Sequence, residues 1–227
     1  MNKTTEAHYG EALKKISNDF EARTSAELVL AAAPNSGIYT SASLILGALL
    51  SFVGLTIYIA APIEFYDDFA FIAIVSAFLL GYALVAFVPA LQRLLTSKKE
   101  QTYYTALNAQ AFFTKQQVYD TKSNTGILVL LSLTEKRTEL VVDTGIKKAL
   151  TTEQLAAFKA DLQAIWSSGE ELMQALSKVI AKHQQVFSAA LPRQEDDADE
   201  LTSGLTLKEM PRFLHGGFGL RRFKIKP

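Results

Sequence analysis

The rhythm of hydrophobic and polar positions changes several times along the chain. Tyr9, Leu13, Ile16 and Phe20 follow one another at spacings of four, three and four, which is one face of an amphipathic helix over residues 6–22. Thr24-Ser25 interrupts it, and residues 26–31 read as a short strand that Pro34-Asn35-Ser36-Gly37 ends by turn chemistry. Periodicity then disappears. No charged residue occurs from Leu28 to Ile63, nor from Phe69 to Gln92. Both runs exceed the roughly 18–20 apolar residues that cross a bilayer, and core helices of soluble domains rarely run so long without charge. Membrane spans are expected at about residues 41–61 and 69–91.

Helical spacing resumes over residues 98–117, with Leu107, Ala111 and Phe112. A polar turn at 120–124 leads into the stretch Thr125 to Ile146, which reads as a β-hairpin. Its first strand, Ile127 to Leu133, is almost continuously apolar, as a strand buried on both faces is. Glu135-Lys136-Arg137 forms a charged turn, Thr138 to Val142 returns, and Asp143-Thr144-Gly145 closes the hairpin. Thr151 and Gln154 fit a capping box. The helix it opens carries Leu155, Phe158, Leu162 and Ile165 on one face. Another helix, at about 170–190, presents Leu172, Leu176, Val179, Ile180 and Phe187. These two helices are expected to cover one face of the sheet.

Joining the strand at 26–31 to the hairpin through the helix at 98–117 makes a right-handed βαβ crossover. The apolar hairpin is inserted in it, between the first strand and its helix. The expected fold class is α/β, a small mixed β-sheet sandwiched by helices and interrupted by a two-helix transmembrane hairpin. Residues 1–38 and 93–190 would form the soluble domain, 39–92 the membrane hairpin and 191–227 a flexible tail.

Charge refines this picture. Lys+Arg and Asp+Glu balance at 23 each, so no global field points to nucleic acid. The chain has no cysteine and only three histidines (His8, His183 and His215), which removes thiolate chemistry and disfavours a multi-histidine metal site. The polar N-terminus predicts no signal peptide. Between the spans lies the acidic loop of Glu64, Asp67 and Asp68, with Tyr58, Phe65 and Tyr66 as an aromatic belt. Lys14, Lys15, Arg23, Arg93, Lys98 and Lys99 lie on the other side. The positive-inside rule then places the protein in the cell (inner) membrane as a multi-pass chain, both termini cytoplasmic. Neither span carries an ionisable residue, so a transport role has nothing to carry it. Small residues recur every fourth position (Ser43, Gly47, Ser51 and Ala73, Ala77, Gly81), which suits close helix packing. The spans read as an anchor. Past them, residues 193–200 are acidic and solvated. The basic end, with Arg221, Arg222, Lys224 and Lys226, reads either as a contact for anionic lipid or as a disordered tail.

Several pieces, in order, resemble the TPM domain family. They are Glu21-x-x-Thr24-Ser25-Ala26-Glu27, Ala109-x-x-x-Phe113, and Thr121-x-x-Asn124-Thr125-Gly126-Ile127-Leu128-Val129. Ser132-Leu133-x-Glu135-x-Arg137 and Asp143-x-Gly145-Ile146 follow. The resemblance covers about residues 5–190, with the spans as an insertion like that of a bacterial subset. It implies an α/β/α sandwich. Family members are described as acid phosphatases, photosystem-repair factors or receptor auxiliary proteins, and calcium or magnesium accompanies some of them. Metal ligands do not carry over to this chain residue by residue, so no metal ligand is assigned.

Asp143-Thr144-Gly145 also matches the aspartic-protease triplet, but a single copy would need a homodimer to share the proton. A capped helix follows it instead of a glycine-rich strand. The plainer reading is a strand ending in a turn, with Gly145 supplying a positive φ. Glu135 and Arg137 read either as a solvated turn or as the binding rim of a site. Glu27 is a charge in an apolar strand, pointing to solvent or paired near Arg137. His183 and Trp166 read as packing residues. Two functions follow. One is a non-enzymatic, membrane-anchored accessory factor in assembly or quality control, with the lipid bilayer and a membrane protein as partners. The other is a phosphatase, with or without a divalent metal, with Glu27 and Asp143 as catalytic candidates.

Overall fold

The computed structural model describes residues 3–37, 39–61 and 67–193. The inter-span positions Glu64, Phe65 and Tyr66, His215 and the acidic and basic segments after residue 193 lie outside the described residues, as do the side chains of His8, Tyr9, Asp67 and Asp68. Helix α1 (Lys3–Glu21) precedes strand β1 (Glu27–Ala33). Two long helices follow, α2 (Thr40–Ala60) and α3 (Asp67–Phe87), then the short α4 (Pro89–Leu95) and α5 (Lys98–Lys115). The hairpin is β2 (Gly126–Ser132) and β3 (Arg137–Val142). Helices α6 (Thr144–Ala149), α7 (Thr152–Ala164) and α8 (Leu172–Ala190) complete the order.

The sheet is mixed, in the order β1-β2-β3. β1 runs parallel to β2, and β3 antiparallel to it. The apolar run of β2 is therefore the central strand, and every residue of β1 and β2 is buried. Side chains alternate across a strand. Leu28, Leu30, Ile127 and Val129 accordingly join Phe20, Phe158 and Leu176 in one apolar cluster, which gathers α1, α7 and α8. Val29, Ala31, Leu128 and Leu130 join Ala109 and Phe112 of α5 in another. The expected pairing of α7 and α8 on one face holds, with α1 beside them.

The free edge of β1 is closed by side chains. Glu21 Oε1 accepts from the Leu28 amide at 2.9 Å, and the Ser17 hydroxyl donates to the Leu28 carbonyl. An exposed edge strand invites pairing with another chain; here α1 occupies it. The capping box of α7 forms as anticipated, with the Thr151 side chain accepting from the Gln154 amide and Gln154 answering the Thr151 amide.

Helices α2 and α3 pack through their small residues. A Cβ on Gly81 would stand 2.8 Å from the Leu46 carbonyl oxygen, and one on Gly47 would meet the Phe78 ring at 3.0 Å. The Ser51 hydroxyl donates to the Ile74 carbonyl at 3.0 Å. The second apolar helix ends at Phe87, short of residue 91, because Pro89 cannot donate to a continuing helix and instead opens α4.

Gly145 needs a different account from the positive φ expected of it. Among the described residues the positive-φ positions are Gln117, Asn124, Lys136 and Gly169. Gly145 lies inside α6, where a Cβ would fall 2.4 Å from the Ser123 carbonyl oxygen and 2.5 Å from that of Asn124. Close backbone approach, not conformational freedom, requires glycine there. Gly126 is tighter still, its Cβ position only 1.9 Å from the Val118 carbonyl oxygen. No side-chain rotation relieves a clash with backbone. Gly126→Ala is therefore expected to cost about 3 kcal/mol or more, read as a lower thermal midpoint than that of the control Gly54→Ala, where an added Cβ meets only Ala77 Cβ at 3.7 Å.

Candidate functional site

The hairpin register separates the candidate residues into two groups. Glu27 pairs with Gly126, and the Asp143 amide donates to the Gly126 carbonyl at 2.9 Å. Arg137 pairs with Ser132, which also pairs with Ala33. At about 3.3 Å per residue, β2 puts roughly 20 Å between the two ends. Glu27 and Asp143 thus share one end of the sheet, while Glu135 and Arg137 share the other. The expectation that Glu27 points to solvent or pairs near Arg137 fails, since Glu27 is buried at the far end.

At the near end, β1 hands the chain to α2. The parallel pairing of β1 with β2 continues past the strands, with the Leu133 amide donating to the Ala33 carbonyl and the Thr134 amide to the Pro34 carbonyl, each at 2.9 Å. The turn closes with Lys136 at a φ of 50°. This folds Glu135 inward, so that it is only 4% exposed, and the reading of Glu135 as a solvated turn residue is corrected. Its Oε1 accepts from the Ser36 amide at 2.9 Å and from the Tyr39 hydroxyl at 2.5 Å. Its Oε2 accepts from the Ser132 hydroxyl at 2.5 Å, and the Ser36 and Ser132 hydroxyls are 2.6 Å apart. A buried carboxylate is tolerated when its lone pairs are met this fully. Tyr39 packs edge-on to Tyr104 at 5.8 Å, and a Cβ on Gly37 would intrude on both rings. Burial, and then the bond to Glu135, push the Tyr39 phenol well above its ordinary pKa.

Beside this network opens a cleft of about 1050 Å³ between α4, the start of α5, the hairpin turn and the end of α7. Arg93, Lys98, Lys136, Arg137 and Trp166 line it. Arg137 reaches the Lys98 carbonyl at 3.3 Å. Gln163 accepts from the Thr138 amide at 3.1 Å and donates to the Lys136 carbonyl at 3.2 Å. The Trp166 indole donates to the Thr138 hydroxyl at 2.9 Å, so it braces the cleft wall as well as packing against the core.

At the far end, Asp143 is the N-cap of α6, its Oδ1 accepting from the Thr144 amide at 2.6 Å. Its Oδ2 is enclosed, with no hydrogen-bond partner among the described residues. No cluster of three or more His, Asp or Glu side chains is poised for a metal among the described residues. His183 behaves as a packing histidine. It is buried, stacks obliquely on Phe158 at 4.9 Å and meets Asp161 Oδ2 at 2.6 Å. Lys182, and then His183, hold the Asp161 carboxyl below its usual range. Ser36 and Tyr39 were not legible as site residues, while Ser132, a polar residue closing an apolar strand, carried a signal.

The fold and these two ends define a mixed α/β domain with two apolar helices spliced in before its crossover helix. No family model matches the chain, and no curated protein matches it. It is similar to the NMR structure of BA42 protein from the psychrophilic bacterium Bizionia argentinensis, at 16% identity, with a TM-score of 0.50 over 88% of this chain and 92% of that one. At that identity the similarity speaks for the fold alone.

Glu135→Ala is expected to cost about 3 kcal/mol, because three donors lose a charged acceptor, with Glu135→Gln in between. Limited proteolysis at residues 34–39 together with thermal melting checks this. The raised Tyr39 pKa sets a sign as well. The unfolded chain releases that proton near pH 10 while the folded chain keeps it, so stability is intact below pH 10 and falls as pH rises beyond it. Tyr39→Phe should lower stability at neutral pH and flatten that alkaline decline in denaturant melts.

Proposed function

We propose that the chain is a membrane-anchored, TPM-like accessory factor in the assembly or quality control of membrane proteins. In this reading α2 and α3 cross the bilayer, the α/β/α sandwich and both termini lie on the cytoplasmic side, and the domain engages a membrane-protein partner. The observation that carries it is the junction. Two 21-residue helices, about 31 Å long at 1.5 Å per residue, match a bilayer core. Only 17% and 11% of their most apolar windows are buried within the protein, and Phe52, Ile59, Phe71 and Leu80 stand exposed. A core helix of a soluble domain would be covered. The Glu135 network fastens the entry to α2 onto the hairpin turn, so the domain is held at a defined attitude to the anchor.

One observation favours a second reading, a phosphatase with or without a divalent metal. Glu27 and Asp143 meet at the same end of the sheet, and Asp143 presents an enclosed oxygen with no hydrogen-bond partner among the described residues.

The purified full chain assayed on a generic phosphate ester, with and without magnesium or calcium, separates the two. Asp143→Asn keeps an N-cap side chain and so should keep the fold. Activity that disappears in a folded Asp143→Asn would sink the accessory reading. Absence of turnover, together with crosslinking to a membrane protein, is the expected outcome. A periplasm-active reporter should work at residue 66 and fail at residue 227; the reverse would invert the orientation.

A further inference from the structure

We infer that the cleft between α4, α5 and the hairpin turn is a binding site for the headgroup of an anionic phospholipid. Four cations from three elements line it: Arg93 from α4, Lys98 from α5, and Lys136 and Arg137 from the turn and the start of β3. None of the four forms an ion pair among the described residues, whereas Lys159, Lys178 and Lys182 elsewhere each hold a carboxylate. Glu135 is the one carboxylate in the lining, and both its oxygens are engaged by Ser36, Tyr39 and Ser132. Four cations against this one carboxylate leave the lining with a net positive charge.

Its walls are also held in place. Gln101, almost wholly buried, donates to the Arg93 carbonyl at 2.8 Å and the Thr96 carbonyl at 2.9 Å, which fixes α4 against α5. The bonds from Arg137 to the Lys98 carbonyl and from Gln163 to the Lys136 carbonyl tie the turn to α5 and α7. A phosphodiester entering the cleft would meet guanidinium groups whose backbones are already positioned. Arg suits this task through its planar array of donors.

The choice of a lipid over a free phosphate comes from location. This step rests on the proposed anchor. Arg93 lies six residues beyond Phe87, the end of α3, with the extended Val88 between the two helices, so it stands within roughly 13 Å of that end. The headgroup layer begins there, just outside a hydrocarbon core of roughly 30 Å, and the long Arg93 side chain can extend into it. Leu94 in the cleft lining is 78% exposed, and Phe87, at the end of α3, is 83% exposed. Ala90, Leu94 and the indole of Trp166 contribute apolar lining. A ligand with one anionic head and an apolar body matches cations next to exposed hydrophobic helix, and basic pockets on such a face attract anionic lipid.

Trp166 is the single tryptophan of the chain and lines the cleft, so its emission reports occupancy. The full chain in detergent micelles is titrated with phosphatidylglycerol, phosphatidylcholine and water-soluble glycerol phosphate. Phosphatidylglycerol should saturate the signal at a concentration about tenfold below phosphatidylcholine, and the R93Q/R137Q variant should remove that preference. The K147Q/K148Q variant, which removes two cations at the other end of the sheet, should keep it. Equal response to the two lipids, or a preference that survives R93Q/R137Q, overturns the inference. So does glycerol phosphate saturating at the same concentration as phosphatidylglycerol, which would make the cleft a free-phosphate site. Flotation of the full chain with phosphatidylcholine liposomes reads the anchor separately. A chain that floats without lipid preference fails only the cleft, and one that does not float fails the anchor as well.

Discussion

The buried carboxylate of Glu135 is the interaction on which the relation between the α/β unit and the apolar hairpin depends. An insertion of two long helices into a crossover would ordinarily hang from two flexible linkers. Here the first linker is drawn into the sheet's own hydrogen-bonding, with amides of Leu133 and Thr134 on carbonyls of Ala33 and Pro34. Glu135 then takes the Ser36 amide and the Tyr39 hydroxyl one residue before α2 begins. The second linker is held by Gln101, which grips the carbonyls of Arg93 and Thr96. Both connections are therefore fastened by a single buried polar side chain apiece. Buried polar groups of this kind are costly unless fully met, and their benefit is a unique arrangement.

This fastening gives the two ends of the sheet different characters. The end carrying Glu27 and Asp143 closes on α6, on Gly145 against the 123–124 backbone and on Gly126 against Val118. Space there is so limited that two glycines are required for the chain to pass. The end carrying Arg137 opens into a cleft. Catalysis needs room for a substrate as well as acidic groups, so the crowding around Gly126 weighs against the phosphatase reading even though Glu27 and Asp143 lie close in the register.

The elements that were legible in the sequence are those specified by local rules. The continuous apolar run of β2, the alternative spacing of α1 and α8, the Thr151–Gln154 capping box and the charge-free runs each need only a few neighbouring residues to be recognised. The facing small-residue stripes were legible too, because Gly47 and Gly81 have no other reason to sit in helix. What was not legible depends on which side chains the fold brings together across the chain. Glu135 looked like a turn charge because nothing in Glu135-Lys136-Arg137 announces Ser36 and Tyr39 as its partners, about a hundred residues earlier. Gly145 looked like a left-handed turn because close approach to Ser123 and Asn124 cannot be read from its own neighbours. Glu21, part of a recognisable string, turned out to cap the Leu28 amide on the sheet edge.

A turn of Glu, Lys and Arg could neutralise itself in solvent, and the strength of such pairs is small. Turning Glu135 inward breaks that balance. The acid is spent on structure, and Lys136 and Arg137 are left facing the cleft with Arg93 and Lys98. One side chain thus does two things at once: it orders the approach to α2, and by its own burial it leaves a positive surface beside the end of α3. Replacing it would loosen the linker and alter the cleft together, which is why the charge-removing substitutions at Arg93 and Arg137, not at Glu135, isolate the cleft's role.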